Sequence, residues 1–260
     1  MEKTDCGCRC ISDITRAALK LEKDRGERII WQTSLMSALL SGVYEGKTTI
    51  GELLQHGDFG LGTFNRLDGE MIAFNSDVFQ LRGDGTARPA KPEQQTPFAV
   101  MTYFNPTHEY HFTKPHSRQQ IHEIIDQTLN SENMFCALRI DGVFERVDTR
   151  TVTEQQRPYK PMIKATEQQP IFHLHRQQGV VIGFLTPAYM QGINVAGYHE
   201  HFINQQRSSG GHVLDYQVSE GRLTFGSVER LIIDFPDDQE FRQADLDPED
   251  LNEAIHSVEG

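Results

Sequence analysis

The hydrophobic pattern becomes regular at Ile29-Ile-Trp-Gln-Thr33, and most of the chain beyond it reads as short strands. Ser34 to Ser41 reads as a short buried helix ended by Gly42. Thr49 to Gly57 repeats apolar residues at helical spacing, with Thr48 or Thr49 as N-cap and Gly57 as terminator. Phe59 to Leu67 and Glu70 to Phe74, joined at Asp68-Gly69, predict a hairpin. Val78 to Leu81 adds a strand and Asp84-Gly85 a turn, and Pro97 to Phe104 is β-rich. Ser117 to Asn130 predicts a helix, Ser117 near its cap, with Ile121, Ile124, Ile125 and Leu129 on one face. Met134 to Ile140 and Val143 to Val147 read as two strands turned at Asp141-Gly142, which places one sheet with a few helices over residues 28 to 152.

Gln155 to Gln169 is polar, holds Pro158 and Pro161, and reads as a linker. Beyond it come strands alone: Gln178 to Leu185, Val195 to Ile203, His212 to Ser219 and Arg222 to Ile233. An acidic tail from Pro236 carries an amphipathic piece near Leu251 to Val258. The predicted class is α/β (α+β) in two domains. Residues 1–27 form a flexible leader, 28–160 an N-terminal mixed β-sheet with flanking helices, and 161–260 a small antiparallel β-barrel that carries the candidate site and the acidic tail.

Composition narrows the function. The 260 residues can bury a sizeable core as one large domain or two small ones. With 25 Lys and Arg against 37 Asp and Glu, the formal net charge of −12 repels phosphate backbones and anionic membranes, which argues against nucleic acid and membrane partners. An anionic substrate therefore needs a local positive charge. The start lacks the apolar core of a signal peptide and no run of 18 apolar residues occurs, so the expected compartment is the cytoplasm. Cys6, Cys8 and Cys10 lack zinc-knuckle spacing and read as a reduced, mobile tail; Cys136 is the fourth cysteine.

The candidate chemistry centres on Val195 to Ile203 and Ser209 to Tyr216. His199 and His201 are two apart, so in a strand they leave on one face. The polar, glycine-rich stretch Gln205 to Gly211 reads as a turn that returns His212 beside His201. Three imidazoles with open positions are the layout of a catalytic zinc site. The spacing alone leaves an alternative open, in which these are polar residues on a wet strand face. His173 and His175, a second pair at the same spacing, read as a solvated face. Candidates for moving protons or holding a carboxylate are Glu70 after its turn, Arg150 at a strand end and Arg157 before Pro158, and sequence separation does not rank them.

Several stretches, in order, resemble the bacterial α-acetolactate decarboxylases. They are Gly60-Leu-Gly-Thr-Phe-Asn-Arg-Leu-Asp-Gly-Glu70, Thr96 to Val100, Thr149-Arg-Thr-Val152 with Arg157-Pro-Tyr159, Ile182 to Pro187, Gly197-Tyr-His-Glu-His-Phe202 and Ser209-Gly-Gly-His212. The resemblance implies zinc (Zn2+) on His199, His201 and His212, with Glu70 and Arg150 lining the site and Thr63 touching substrate. It implies a further carboxylate from the tail, best matched by Glu259, with Glu253 as fallback. The activity implied is decarboxylation of (S)-2-acetolactate, a 2-hydroxy-3-keto acid, to (R)-acetoin and carbon dioxide in the acetoin/2,3-butanediol pathway. Zinc would chelate the ketone and hydroxyl oxygens and stabilise the enediolate. Arg150 would anchor the carboxylate and Glu70 would deliver the proton, while Glu259 assists proton traffic or closes the pocket. A two-domain α/β homodimer joined through the N-terminal sheet is also implied. The alternative, a cupin-like metal-dependent oxygenase or isomerase, suits the H-x-H strand but expects a glutamate shortly after it, where this chain has Phe202 to Gln206. A metabolite-binding β-domain is the non-enzyme alternative.

Overall fold

The computed structural model describes residues 28–259, and for Glu259 the backbone alone. The expected leader, with Cys6, Cys8 and Cys10, and the Glu259 side chain lie outside the described residues.

The chain begins with β1 (Ile29–Thr33), α1 (Met36–Leu40), β2 (Thr48–Thr49) and α2 (Ile50–Leu53). Strands β3 (Phe59–Thr63), β4 (Glu70–Phe74), β5 (Asp77–Leu81), β6 (Ala87–Pro89), β7 (Gln95–Thr96) and β8 (Ala99–Thr102) follow. Next come β9 (His108–Phe112), β10 (His116–Ser117), α3 (Arg118–Leu129), β11 (Phe135–Arg150) and α4 (Met162–Thr166). The last part holds β12 (Ile171–Thr186), β13 (Gly197–Asn204), β14 (Gly210–Val228), β15 (Arg230–Asp234), α5 (Gln239–Gln243) and α6 (Leu251–Glu259). The class is mixed α+β, dominated by sheet, as the strand pattern implied.

One seven-stranded sheet has the order β15-β1-β8-β3-β4-β5-β6. A six-stranded sheet has the order β10-β14-β11-β12-β13, with β9 on β14. A short ladder, Ile203↔Gly210 to His201↔His212, joins β13 back to β14, so the ladders of the four long strands close on themselves. A single hydrophobic cluster takes residues from both sheets, among them Phe59, Leu61 and Ile72 from the first and Ile182, Phe184 and Ile203 from the second. A second cluster, with Phe202, Val213 and Tyr216, lies on the other face of the second sheet and is covered by Ile121 and Ile125 of α3.

Local signals placed the caps well. Thr49 caps α2 and Ser117 caps α3, each in a reciprocal capping box with the residue three positions on. Several expectations need correction, among them the break expected between His212 to Ser219 and Arg222 to Ile233, where β14 runs unbroken from Gly210 to Val228. Asp141-Gly142 is not a turn, because β11 runs unbroken from Phe135 to Arg150. Gly142 lies level with Gly179 of β12 and Gly221 of β14, and a Cβ there would stand 2.6 Å from the Glu220 carbonyl; the glycine serves close strand packing. The first sheet also does not extend to residue 152, since β9, β10 and β11 ladder into the second sheet, while β15 returns to pair with β1 in parallel. Such assignments depend on partners far along the chain, which alternation of apolar positions does not specify.

The hairpin at Asp68-Gly69 is present but β3 ends at Thr63, earlier than the apolar run suggested. Asn65 leaves the strand to exchange two hydrogen bonds with the Gly46 backbone, at 2.8 and 2.9 Å, and Arg66 N–H donates to the Tyr44 carbonyl. Gly69 closes this loop at φ +88, a conformation that favours glycine.

Candidate active site

Five of the candidate residues, His199, His201, His212, Glu70 and Arg150, come together between the two sheets. His199, His201 and Ile203 share one face of β13, and Ile203 belongs to the cluster common to both sheets. His212 pairs directly across from His201, and Arg150 pairs across from His212, so Arg150, His212 and His201 form one row over β11, β14 and β13. The returning hairpin expected from Gln205 to Gly211 thus has the predicted register. The three histidines are buried, and one ligand nitrogen from each lies within 4.8 Å of the others. The loop entering β13 is held from the first sheet, where buried Gln32 accepts from Asn194 Nδ2 at 3.0 Å and donates to the Ile193 carbonyl at 2.8 Å.

The opposite wall comes from the first sheet. His201 Nδ1 lies 2.7 Å from the Met71 carbonyl, which only accepts, so Nδ1 carries the proton and Nε2 presents its lone pair. That Nε2 is buried with no hydrogen-bond partner and lies 3.8 Å from Glu70 Oε2. An orphaned imidazole lone pair beside two further imidazoles fits a divalent metal. Glu70 is at the entry of β4 and nearly buried. Its turn is braced by buried Gln80, whose amide donates to the Asp68 carbonyl, and by Thr63 Oγ1, which donates to the Gly69 carbonyl at 2.8 Å. The Thr63 hydroxyl proton is therefore committed to the turn. Arg150 Nη2 stands 3.4 Å from His212 Nε2 and donates to the Val258 carbonyl of α6. Helix α6 carries Glu259 at its end, and Glu253 is exposed on the same helix. Arg157 pairs with Glu240 at the surface instead, and His173 lies on an exposed strand face, 2.8 Å from Asp148.

Burial dominates the electrostatics. It pushes His199 down from 6.5 to about 3, aided by Arg150, and pushes His201 and His212 well below 6.5, aided by the neighbouring His199. All three rings are neutral, as metal ligands must be. On the far face of β13, Glu200 is fully buried. Burial opposes its charge, yet His122 and Arg118 outweigh burial and bring the carboxyl down from 4.5 to about 2.

These shifts fix the sign of the acid response. A histidine with a depressed folded value takes up its proton first in the unfolded chain, so stability falls as pH drops from 6.5 towards 3. The Glu200 contribution is present above 4.5 and fades as pH falls towards 2. The metal-free protein is expected to lose melting temperature steadily from pH 7 to pH 5, before the carboxylate window opens. A flat melting temperature over that range contradicts neutral buried rings.

Sequence reasoning missed Arg118, His122 and Tyr216 around Glu200. The available signal was Glu200 itself, an acidic residue that alternation places on the same face as apolar Phe202.

A family model described as alpha-acetolactate decarboxylase matches residues 30–248. An alpha-acetolactate decarboxylase of Klebsiella aerogenes is 58% identical over 252 residues, covering 97% of each chain. One from Bacillus subtilis (strain 168) is 42% identical over 92% of this chain and 94% of that protein. A crystal structure of alpha-acetolactate decarboxylase from the same strain superposes with a TM-score of 0.87 at 43% identity, covering 89% of this chain and 99% of that one. No helix among the described residues is long and apolar enough to cross a membrane.

Proposed function

This chain belongs to the alpha-acetolactate decarboxylase family, carboxy-lyases by name, and we propose that it decarboxylates (S)-2-acetolactate to (R)-acetoin with zinc held by His199, His201 and His212. The observation that carries this reading is the meeting of three neutral imidazoles with Glu70 and Arg150 between the two sheets. The family match sets aside the cupin-like alternative and the simple binding domain.

His199, His201 and His212 would hold a divalent ion as three neutral ligands, and the ion would supply Lewis acidity that stabilises developing negative charge. The rest falls to side chains. Arg150 supplies a local positive charge in a protein of formal net charge −12, and its planar fork matches a carboxylate. Orientation is the gain, because the breaking carbon–carboxylate bond must stand perpendicular to the neighbouring ketone plane for its electrons to flow into the carbonyl. Glu70 reaches the site from the opposite sheet and delivers a proton to one face of the carbon that lost carbon dioxide, which yields one enantiomer. Both sheets exclude water and so protect that choice. Glu259, at the end of the helix whose Val258 carbonyl meets Arg150, assists proton traffic or closes the pocket. The reading includes a cytoplasmic homodimer joined through the seven-stranded sheet and a place in acetoin formation.

Incubation with 2-acetolactate tests it. Carbon dioxide and acetoin are expected to appear together, the acetoin as the R enantiomer, with loss of activity on chelation and recovery on zinc addition. Acetoin formation at the spontaneous rate overturns the activity, and chelator-resistant turnover overturns the metal.

A further inference from the structure

The short ladder between the two ligand-bearing strands stops at His201↔His212, the metal-facing row itself. Beyond that row β13 and β14 part, and no backbone pairing fixes how far apart they stand beside His199. Arg118 occupies this split from the opposite face of the sheet. Its Nη2 donates to the Tyr198 carbonyl at 3.2 Å, just before the first ligand, and its Nη1 to the Leu214 carbonyl at 3.4 Å, two residues after the third. Its Nε meets Glu200 Oε2 at 2.6 Å, and Glu200 lies between His199 and His201. One rigid, planar group therefore grips both ligand strands.

Its base is fixed as well. Arg118 is the first residue of α3, capped by Ser117, and Ser117 ladders to Gln217 of β14. Glu200 is completed by His122 at 3.1 Å and Tyr216 at 3.4 Å, and His122 stacks on Tyr198 at 3.6 Å. Opposite it, Gly183 leaves room, since a Cβ there would stand 2.7 Å from Glu200 Cγ and 2.6 Å from the His199 carbonyl. A buried carboxylate needs a cation in any protein. The two carbonyl contacts flanking the ligands are what that need does not explain.

We propose that Arg118, working with Glu200, is a positioning residue for the metal centre, setting the spacing of His199 and His201 against His212 from the far side of the sheet. The proposal rests on zinc binding by those three histidines. Groups that orient ligands without touching the metal typically change its affinity by about 10- to 100-fold. Lysine keeps the charge but places one compact ammonium where three forked contacts are needed.

The test compares wild type, Arg118→Lys and Glu200→Gln, the last as a milder change should the lysine variant not fold. Zinc affinity is measured by chelator competition, and the visible spectrum of cobalt-substituted protein reports ligand geometry independently of activity. Zinc affinity is expected to fall about 10- to 100-fold in the variants, with a shifted cobalt spectrum and kcat reduced more than KM is raised. Variants that melt earlier but keep wild-type affinity and spectrum overturn the proposal and leave Arg118 a stabilising ion pair. Wild-type protein that binds neither zinc nor cobalt removes the metal reading, and this proposal with it.

Discussion

His201→Ala is expected to purify almost free of zinc and to lose essentially all turnover. His201 stands on the second sheet and is hydrogen-bonded to the first. Its Nδ1 is committed to the Met71 carbonyl in the first sheet, and the opposite nitrogen, buried without a hydrogen-bond partner, faces the metal position. Two imidazoles remain in the variant, too few for a stable zinc site. Lewis-acid stabilisation is worth several kcal/mol, so kcat/KM should fall by at least roughly 10³-fold at 1.36 kcal/mol per tenfold. The Met71 carbonyl also loses its buried donor, a cost of about 1–3 kcal/mol. Metal analysis alongside circular dichroism separates the two losses. A folded variant with stoichiometric zinc removes His201 from the ligand set.

The range of each interaction decides how much of this was visible in the chain. Alternation along a strand put His199 and His201 on one face, and a glycine-rich turn of the right length brought His212 opposite, both within fifteen residues. Capping at Thr49 and Ser117 is equally local. Arg150 and Glu70 were picked out by motif, because their approach depends on ladders between β11 and β14 and on packing of one sheet against the other. Asp141-Gly142 misled because an aspartate-glycine pair reads as a turn, whereas here the glycine answers a crowded three-strand crossing. Arg118 and Glu200 are 82 positions apart, and nothing local marks them as partners. Yet the pattern His-Glu-His-Phe already held a contradiction, since the face opposite the ligands carried both an acid and a phenylalanine. A buried acid announces a cation, and the fold supplies it from α3.

Arg150→Lys is expected to keep its zinc and lose most of its catalytic efficiency. The guanidinium ends β11 beside His212, and one of its nitrogens already serves the Val258 carbonyl of α6. Its remaining donors point along a planar edge, which suits the two oxygens of a carboxylate. A lysine at this position retains charge but offers a single, shorter point of contact, and the Val258 carbonyl of α6 loses this donor unless the ammonium is diverted to it. Truncating one partner of a buried, hydrogen-bonded charge pair costs about 2–5 kcal/mol; with charge retained, the lower part of that range applies, a fall in kcat/KM of roughly 10²-fold. The division of the loss carries the mechanistic content. A rise in KM alone means that Arg150 merely binds the carboxylate, whereas a fall in kcat means that it also sets the angle of the breaking bond. Wild-type values for both constants, in a variant with full zinc, would show that the substrate's carboxylate is held elsewhere.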